Sequence, residues 1–462
     1  MRIYLESLGC RLNYAEMAAL GRQLAAAGHE LTASAAQADL CVLNSCAVTA
    51  EAARQSRQLA RQMARANPAG RLIVTGCYAT LEGEKAARLP NVALVVGNAR
   101  KEELLRIVEE SANAQIGKPA NAQIGPAAAV RGDMATDGQD VAAAARDGME
   151  QAGDEMTPHA SRTRAFVKVQ DGCRNRCTFC IVTVARGEEH SRPIREVVAE
   201  VNALHAAGYQ EAVLTGVHLG GYGSDTGADL RALVNALLAE TTIPRLRLSS
   251  LEPFDLAAEF FDLWPQSAGR LMPHLHLPAQ SGSDAVLRRM ARRNRVADFE
   301  ALVAAARDCI PGLTITTDLI VGFPGETEED FADTVAFARR MEFAHMHIFP
   351  YSARTGTVAA RFDRQVPEAE RKRRARILSA LDRELGEQVR RAFLGQTRPV
   401  LWEHAPASTA DERGAVVWTG LTDNYLRVRT AATGQVSLHN RILPTRLVGF
   451  ADGDLWGEVA EN

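Results

Sequence analysis

The period of the apolar positions divides the chain into three structured stretches. Over the first hundred residues, short apolar runs alternate with longer Ala-rich runs whose apolar positions recur every three to four residues. That pattern predicts strands over 2–8, 39–44, 71–75 and 91–96, with helices over 14–27 and 51–66 between them. Strands that alternate with helices pair in parallel, so an α/β sheet is expected. Six further strands are predicted over 165–169, 211–215, 245–249, 273–277, 314–321 and 345–349. Each of the first five precedes a helical stretch, such as 194–207 or 327–341, and the sixth leads into a helical run over 367–393. Successive βα units imply a curved parallel sheet, a partial (βα)6 barrel, with its functional loops at the carboxyl edge. Short strands over 398–402, 415–418, 425–429, 435–438 and 446–450, separated by Gly, Asn and Asp turns, predict a small OB-like β-barrel.

Between the first two stretches the period dissolves. Asn113-Ala-Gln-Ile-Gly117 is repeated at 121–125, and the segment lacks the apolar surface needed to offset chain ordering. The expected organisation is therefore an α/β domain over 1–110, a low-complexity linker or insertion over 111–161, a barrel domain over 162–394 and a small β-barrel over 395–462. A length of 462 residues suits about three domains. No apolar run approaches the roughly 20 residues that cross a bilayer, and the N-terminus has no secretory pattern, so no membrane partner and a cytoplasmic location are expected. The net charge of −3 gives no global pull on nucleic acid, so any RNA affinity must come from a local basic face.

In a reducing compartment the eight cysteines are read as metal ligands or catalysts rather than disulfides. Cys173, Cys177 and Cys180 follow the first barrel strand in Asp171-Gly-Cys-Arg-Asn-Arg-Cys-Thr-Phe-Cys180. Three thiolates on a 4Fe-4S cube leave one iron open to a ligand, whereas a structural zinc site, the alternative, wants a fourth protein ligand. Cys10, Cys46 and Cys77 each lie just past the carboxyl end of a predicted strand, beside Gly9, Ser45 and Gly76. In a parallel sheet those ends share one edge, so the three can converge; the alternative is three unrelated core cysteines. Cys41, within a strand, and Cys309, ending a helix, are read as small buried hydrophobes.

The CxxxCxxC triad resembles the signature of the radical S-adenosylmethionine superfamily. With the upstream trio, Ala185-Arg186-Gly187 and the terminal barrel, nearly the whole chain resembles a methylthiotransferase of the tRNA-modifying family. Leu214-Thr-Gly-Val-His-Leu-Gly220, Arg247-Leu-Ser-Ser-Leu-Glu-Pro253, His276-Leu-Pro-Ala-Gln-Ser-Gly282 and Asp318-Leu-Ile-Val-Gly-Phe-Pro-Gly-Glu326 are most similar to the branch acting on threonylcarbamoyladenosine beside the anticodon. The resemblance implies that Cys173, Cys177 and Cys180 hold the 4Fe-4S cluster that cleaves S-adenosyl-L-methionine to a 5′-deoxyadenosyl radical. It also implies that Cys10, Cys46 and Cys77 hold a second 4Fe-4S cluster carrying the sulfur to be inserted. It further implies that Phe179, Gly216, Ser250, Glu252, Gln280, Asp318 and Gly322 contact S-adenosyl-L-methionine, and that a flavodoxin- or ferredoxin-like protein supplies electrons to a monomeric enzyme. Helix caps and turns are the competing explanation for Ser250, Glu252, Gln280 and Gly322. Two departures from the family pattern stand out: the long low-complexity stretch, and His190 where the family has an arginine.

For tRNA, the expected contacts are Arg427, Arg429, Arg441 and Tyr425 on the small barrel, since arginine and aromatic side chains suit phosphates and unstacked bases. The arginine-rich helical run around 371–376 is expected instead to be a solvated face neutralised by its own Glu residues. Two other functions stay open at this point. One is the same chemistry on isopentenyl-type adenosine or on a ribosomal-protein aspartate; the other is a non-catalytic iron-sulfur electron carrier or RNA-binding module.

Overall fold

Consecutive parallel strands must be joined by crossovers, and helices that pack on the sheet supply them. In the computed structural model, which describes residues 1–113, 163–404, 416–432 and 437–460, the first such sheet has five parallel strands. Their order is Glu30–Leu31, Arg2–Ser7, Leu40–Ser45, Arg71–Gly76 and Val92–Val96. The central Leu40–Ser45 strand is buried at every position, as expected of a strand covered on both faces. Helix Arg11–Ala26 covers one face with Met17, Leu20 and Leu24, joined there by Ile107 and Val108 of helix Leu104–Asn113. Helix Ala50–Ala66 covers the other with Ala53, Ala60 and Met63 and starts at Thr49, whose hydroxyl accepts from Ala52 N at 3.0 Å. The two-residue edge strand is too short to have left a period in the sequence, and helix Leu104–Asn113 runs three residues into the expected linker. The rest of that linker, and its repeat, lies outside the described residues.

The chain clusters into two units. The first holds residues 1–161, 171–189 and 352–361, and the second holds 162–170, 190–351 and 362–462. In the second, Arg245–Leu248, Glu211–Thr215 and Arg164–Lys168 form one parallel sheet, and His274–His276, Thr314–Val321 and His345–Pro350 form another. The bridges Leu246 to Leu271 and Ser250 to His276 join the two into one open, six-stranded curve, the expected partial barrel. One connection differs from expectation. After Arg245–Leu248 come the 3-10 turns Pro253–Asp255 and Ala258–Asp262 and the short helix Leu263–Gln266, because Pro253 and Pro265 remove the amides that a longer helix needs.

The C-terminal strands Thr397–His404, Val416–Thr422, Arg427–Ala432, Ile442–Ala451 and Asp454–Val459 close into a barrel around Trp402, Val428, Leu447 and Leu455. The strand expected over 435–438 is not among them: Ser437 and Leu438 are not in a strand, and Gln435 and Val436 lie outside the described residues. Its place is taken by Asp454–Val459, paired with Ile442–Ala451 across an Asp452-Gly453 turn in which both residues have positive φ.

This small barrel docks on the amino end of the six-stranded curve. Arg245 donates to Leu421 O at 3.2 Å and to Pro399 O at 2.7 Å, Arg247 donates to Asp423 O at 3.1 Å, and Arg164 pairs with Glu403 at 2.6 Å. Among the described residues no helix is long and apolar enough to cross a membrane.

Candidate active site

The register of the first sheet fixes where its cysteines emerge. Ser7 lies opposite Asn44, and Asn44 opposite Thr75, so three neighbouring strands end level. Cys10, Cys46 and Cys77 follow within two or three residues. Gly9 has φ +107°, and a Cβ placed on it would lie 2.7 Å from Cys46 Cβ and 2.9 Å from Cys46 Sγ; only glycine lets these two loops approach. Ser56 fixes the second loop by accepting from Cys46 N at 3.0 Å and donating to Cys46 O at 2.8 Å. Cys46 and Cys77 are buried and Cys10 is exposed, and no cysteine is in a disulfide. Burial first, then the charges of Cys10 and Cys77, push the Cys46 thiol up to about 12, with Arg186 opposing. Three cysteines gathered at one sheet edge offer soft sulfur donors, so the trio fits an iron-sulfur cluster.

A buried polar network backs this edge, and the sequence patterns gave no sign of it. Glu16 accepts from Asn44 Nδ2 at 3.0 Å, forms a buried ion pair with Lys101, and accepts from Arg186 Nη1 at 3.0 Å. Apart from Asn44, at the end of the central strand, its members sit on helices and turns whose polar residues carry no distinguishing period. Cys41 is buried inside its strand, where burial pushes its thiol up to about 11, and Cys309 packs against the barrel core; both are structural, as expected.

Cys173, Cys177 and Cys180 lie on an irregular loop held by backbone bonds from Cys173 N to Gly187 O and from Cys180 N to Cys177 O, each 3.1 Å. Asn175 N points at Cys173 Sγ and Val182 N at Cys180 Sγ, both at 3.4 Å. Amides aimed at sulfur favour the thiolate, the form that binds iron. Ala359 N donates to Thr178 O at 2.9 Å and ties the loop down, with half-buried Phe179 inside it.

The remaining cofactor candidates lie on the second unit. Gly216 follows strand Glu211–Thr215 and packs on Gln170, whose Oε1 accepts from His218 N at 2.8 Å; a Cβ at 216 would sit 2.9 Å from that oxygen. Ser250 bridges the backbone of His276. Glu252 begins a 3-10 turn without capping it and instead accepts from buried Arg292 at 2.5 Å. Gln280, in the left-handed region at φ +68°, donates its N–H to Asp318 O at 2.8 Å. Asp318 stands 3.3 Å from His276 Nε2, and His347 completes a compact His-Asp-His group that the sequence reading did not anticipate. Gly322, at φ +70°, lies under the aliphatic stem of Arg371.

The sequence pattern of the Radical SAM superfamily matches residues 167–338, and that of the Uncharacterized protein family UPF0004 matches residues 2–97. Over 92% of its length the chain is 35% identical to threonylcarbamoyladenosine tRNA methylthiotransferase MtaB of Bacillus subtilis, covering 89% of that protein. The chain belongs to the radical S-adenosylmethionine methylthiotransferase family. It is also 36% identical to the MtaB protein of Aquifex aeolicus over 96% of this chain and 100% of that one. A solved radical S-adenosylmethionine methyltransferase, TsrM from Kitasatospora setae, shares the fold with a TM-score of 0.53 over 78% of this chain and 75% of that one, at 15% identity. The methylthiotransferase is thus an enzyme that uses S-adenosylmethionine and a 4Fe-4S cluster.

The residues expected to meet RNA fall into two groups. Arg427 and Arg441 are exposed on the small barrel. Arg429 pairs with Asp454 at 2.6 Å. Tyr425 is stacked on His274 at 4.6 Å between ring centroids, with the Arg247 guanidinium 4.7 Å from its ring centre, and Trp418 is buried in the barrel core. These contacts put Tyr425 at the junction of the small barrel with the six-stranded curve. On helix Glu368–Arg391, Arg373 pairs with Glu328 and Glu370, Arg374 with Glu326 and Glu370, and Arg391 with Glu387, so much of its basic character is neutralised locally, as expected. His190 is exposed and lies 3.6 Å from Asp225.

Proposed function

We propose that this methylthiotransferase inserts a methylthio group at carbon 2 of N(6)-threonylcarbamoyladenosine beside the anticodon of tRNA, consuming two S-adenosyl-L-methionine molecules. The observation that carries the proposal is the near-full-length identity to proteins named for that substrate, in a chain whose two cysteine trios are both intact. In this reading Cys173, Cys177 and Cys180 hold the cleaving cluster, and Cys10, Cys46 and Cys77 hold a second 4Fe-4S cluster. When bound, the clusters supply an electron for sulfonium cleavage and a soft metal on which sulfur can reside. The protein's own part is to hold the thiolates with aimed amides, to keep Cys46 and Cys77 from water, and to present Gly216, Ser250, Glu252, Gln280, Asp318 and Gly322 around the adenosylmethionine. Exposed Arg427 and Arg441 contact tRNA phosphates.

The domains in this reading are 1–110 for the second cluster, 111–161 as an insertion, 162–394 for radical chemistry and 395–462 as a TRAM-like RNA-binding barrel. A flavodoxin- or ferredoxin-like protein supplies electrons, and the enzyme works as a cytoplasmic monomer. Mass spectrometry of tRNA nucleosides from cells lacking the gene tests the substrate: the 2-methylthio form of threonylcarbamoyladenosine should vanish and return on complementation. Loss of methylthiolated isopentenyladenosine, or of a methylthiolated ribosomal-protein aspartate, would show instead that the target is wrong. Absence of 5′-deoxyadenosine on anaerobic reduction with S-adenosylmethionine would point to a non-catalytic carrier.

A further inference from the structure

Arg186 closes helix Val182–Arg186, six residues past Cys180, and its side chain is only 2% exposed. Its guanidinium is fixed on three sides. Nη1 donates to Asp171 Oδ1 and to Glu16 Oε1, each at 3.0 Å, and Nη2 donates to Asn13 Oδ1 at 2.6 Å. The same Asn13 oxygen lies 3.9 Å from Cys10 Sγ, and Asn13 Nδ2 is oriented by Leu8 O at 2.7 Å. On the neighbouring residue, Ala185 O accepts at 2.7 Å from Asn98 Nδ2, which lies 3.7 Å from Cys77 Sγ. Two consecutive residues thus reach two of the three sheet-edge cysteines, each through one asparagine amide.

The charges around them are arranged to match. Arg186 and Lys101 are offset by Glu16 and Asp171, so the pocket is balanced before any thiolate ionises. Without Arg186 one carboxylate would be left uncompensated, and thiolates, or any anionic sulfur on a cluster they hold, would face a net negative buried pocket.

We infer that Arg186 is a positioning residue for the cluster at Cys10, Cys46 and Cys77, fixing Asn13 beside Cys10 and contributing a buried positive charge against the negative charge the cluster carries. This rests on the proposal that the trio holds a cluster. The test uses the full chain carrying Cys173→Ala, Cys177→Ala and Cys180→Ala, reconstituted anaerobically so that only the second cluster can form. Iron and sulfide are counted, and the midpoint potential is read by redox titration monitored by electron paramagnetic resonance, with and without Arg186→Gln or Arg186→Lys. The parent should hold about four irons per chain. Arg186→Gln should shift the potential to more negative values, because reduction adds charge that is no longer offset, and Arg186→Lys should return it towards the parent. If Arg186→Gln instead holds no iron, the inference stands only where Arg186→Lys restores it and both metal-free variants melt with the parent. An unmoved potential at full iron, or equal loss of iron or of metal-free stability in both variants, makes Arg186 a structural lock and overturns the inference. A parent that binds no iron overturns the cluster assignment itself.

Discussion

Replacing Glu211 by Gln should weaken the second unit without touching its chemistry. Glu211 and Arg247 are both fully buried, joined by bonds of 2.7 and 3.2 Å, and Arg245 lies 3.7 Å from the same carboxylate. Burial alone would raise the Glu211 carboxyl, but Arg247 and then Arg245 outweigh it and hold the group down at about 2. A carboxylate depressed that far from its ordinary value adds about 3 kcal/mol at neutral pH, at about 1.4 kcal/mol per pKa unit. Removing one member of a buried pair costs about 3–5 kcal/mol, because the remaining charges are stranded, so the two routes agree. Because the folded pKa is lower than the unfolded one, the contribution is complete above the unfolded value and is lost as pH falls through the folded one. Urea unfolding of the wild type and Glu211→Gln should therefore differ by about 3 kcal/mol from pH 7 to about 4.5, with the gap narrowing towards pH 2. A difference below about 1 kcal/mol at pH 7, or one that widens in acid, would refute the reasoning.

Cys177→Ala should abolish reductive cleavage of S-adenosylmethionine, measured as 5′-deoxyadenosine released under dithionite. Cys46→Ala should leave that cleavage intact while ending methylthiolation; methylthiolated nucleoside from this variant would remove the second cluster from the mechanism. Arg427→Ala and Arg441→Ala should each lower the slope of log affinity for tRNA against log salt by about 1, measured by filter binding at several ionic strengths. Tyr425→Ala should lower stability by about 2 kcal/mol through loss of its contacts with His274 and Arg247, with the salt slope unchanged; a changed slope would return Tyr425 to the RNA face.

What could be read in the sequence depended on whether a signal was periodic. The level ends of three parallel strands put Cys10, Cys46 and Cys77 at one edge, and strand period alone was enough to find those ends. Asn13, Glu16, Asn98 and Lys101 escaped notice because a polar residue on a helix or turn looks the same whether it faces water or a cluster. The contacts of Tyr425 are hidden for a related reason: an aromatic residue among arginines suits RNA, and nothing local points to His274 and Arg247, which lie 151 and 178 positions earlier in the chain. The Asp452-Gly453 pair between two apolar runs is a legible hairpin signal, and the barrel turns there.

The contacts of Tyr425 point to a division of labour along the six-stranded curve. At its amino end five of the six strands begin with Arg164, Glu211, Arg245, His274 and Thr314, polar residues that are costly to bury unless paired, and each finds a partner within that end or in the docked barrel. Its carboxyl end carries Gly216, Ser250, Glu252, Gln280 and Gly322, where left-handed backbone and glycine allow close approach of a ligand. Substitutions at the two ends should therefore separate in a single experiment. Glu211→Gln should lower stability while the yield of 5′-deoxyadenosine per folded enzyme stays at the wild-type level, and Ser250→Ala should lower that yield at nearly unchanged stability. Parallel loss of both properties at either position would mean that docking and chemistry are coupled through the strands.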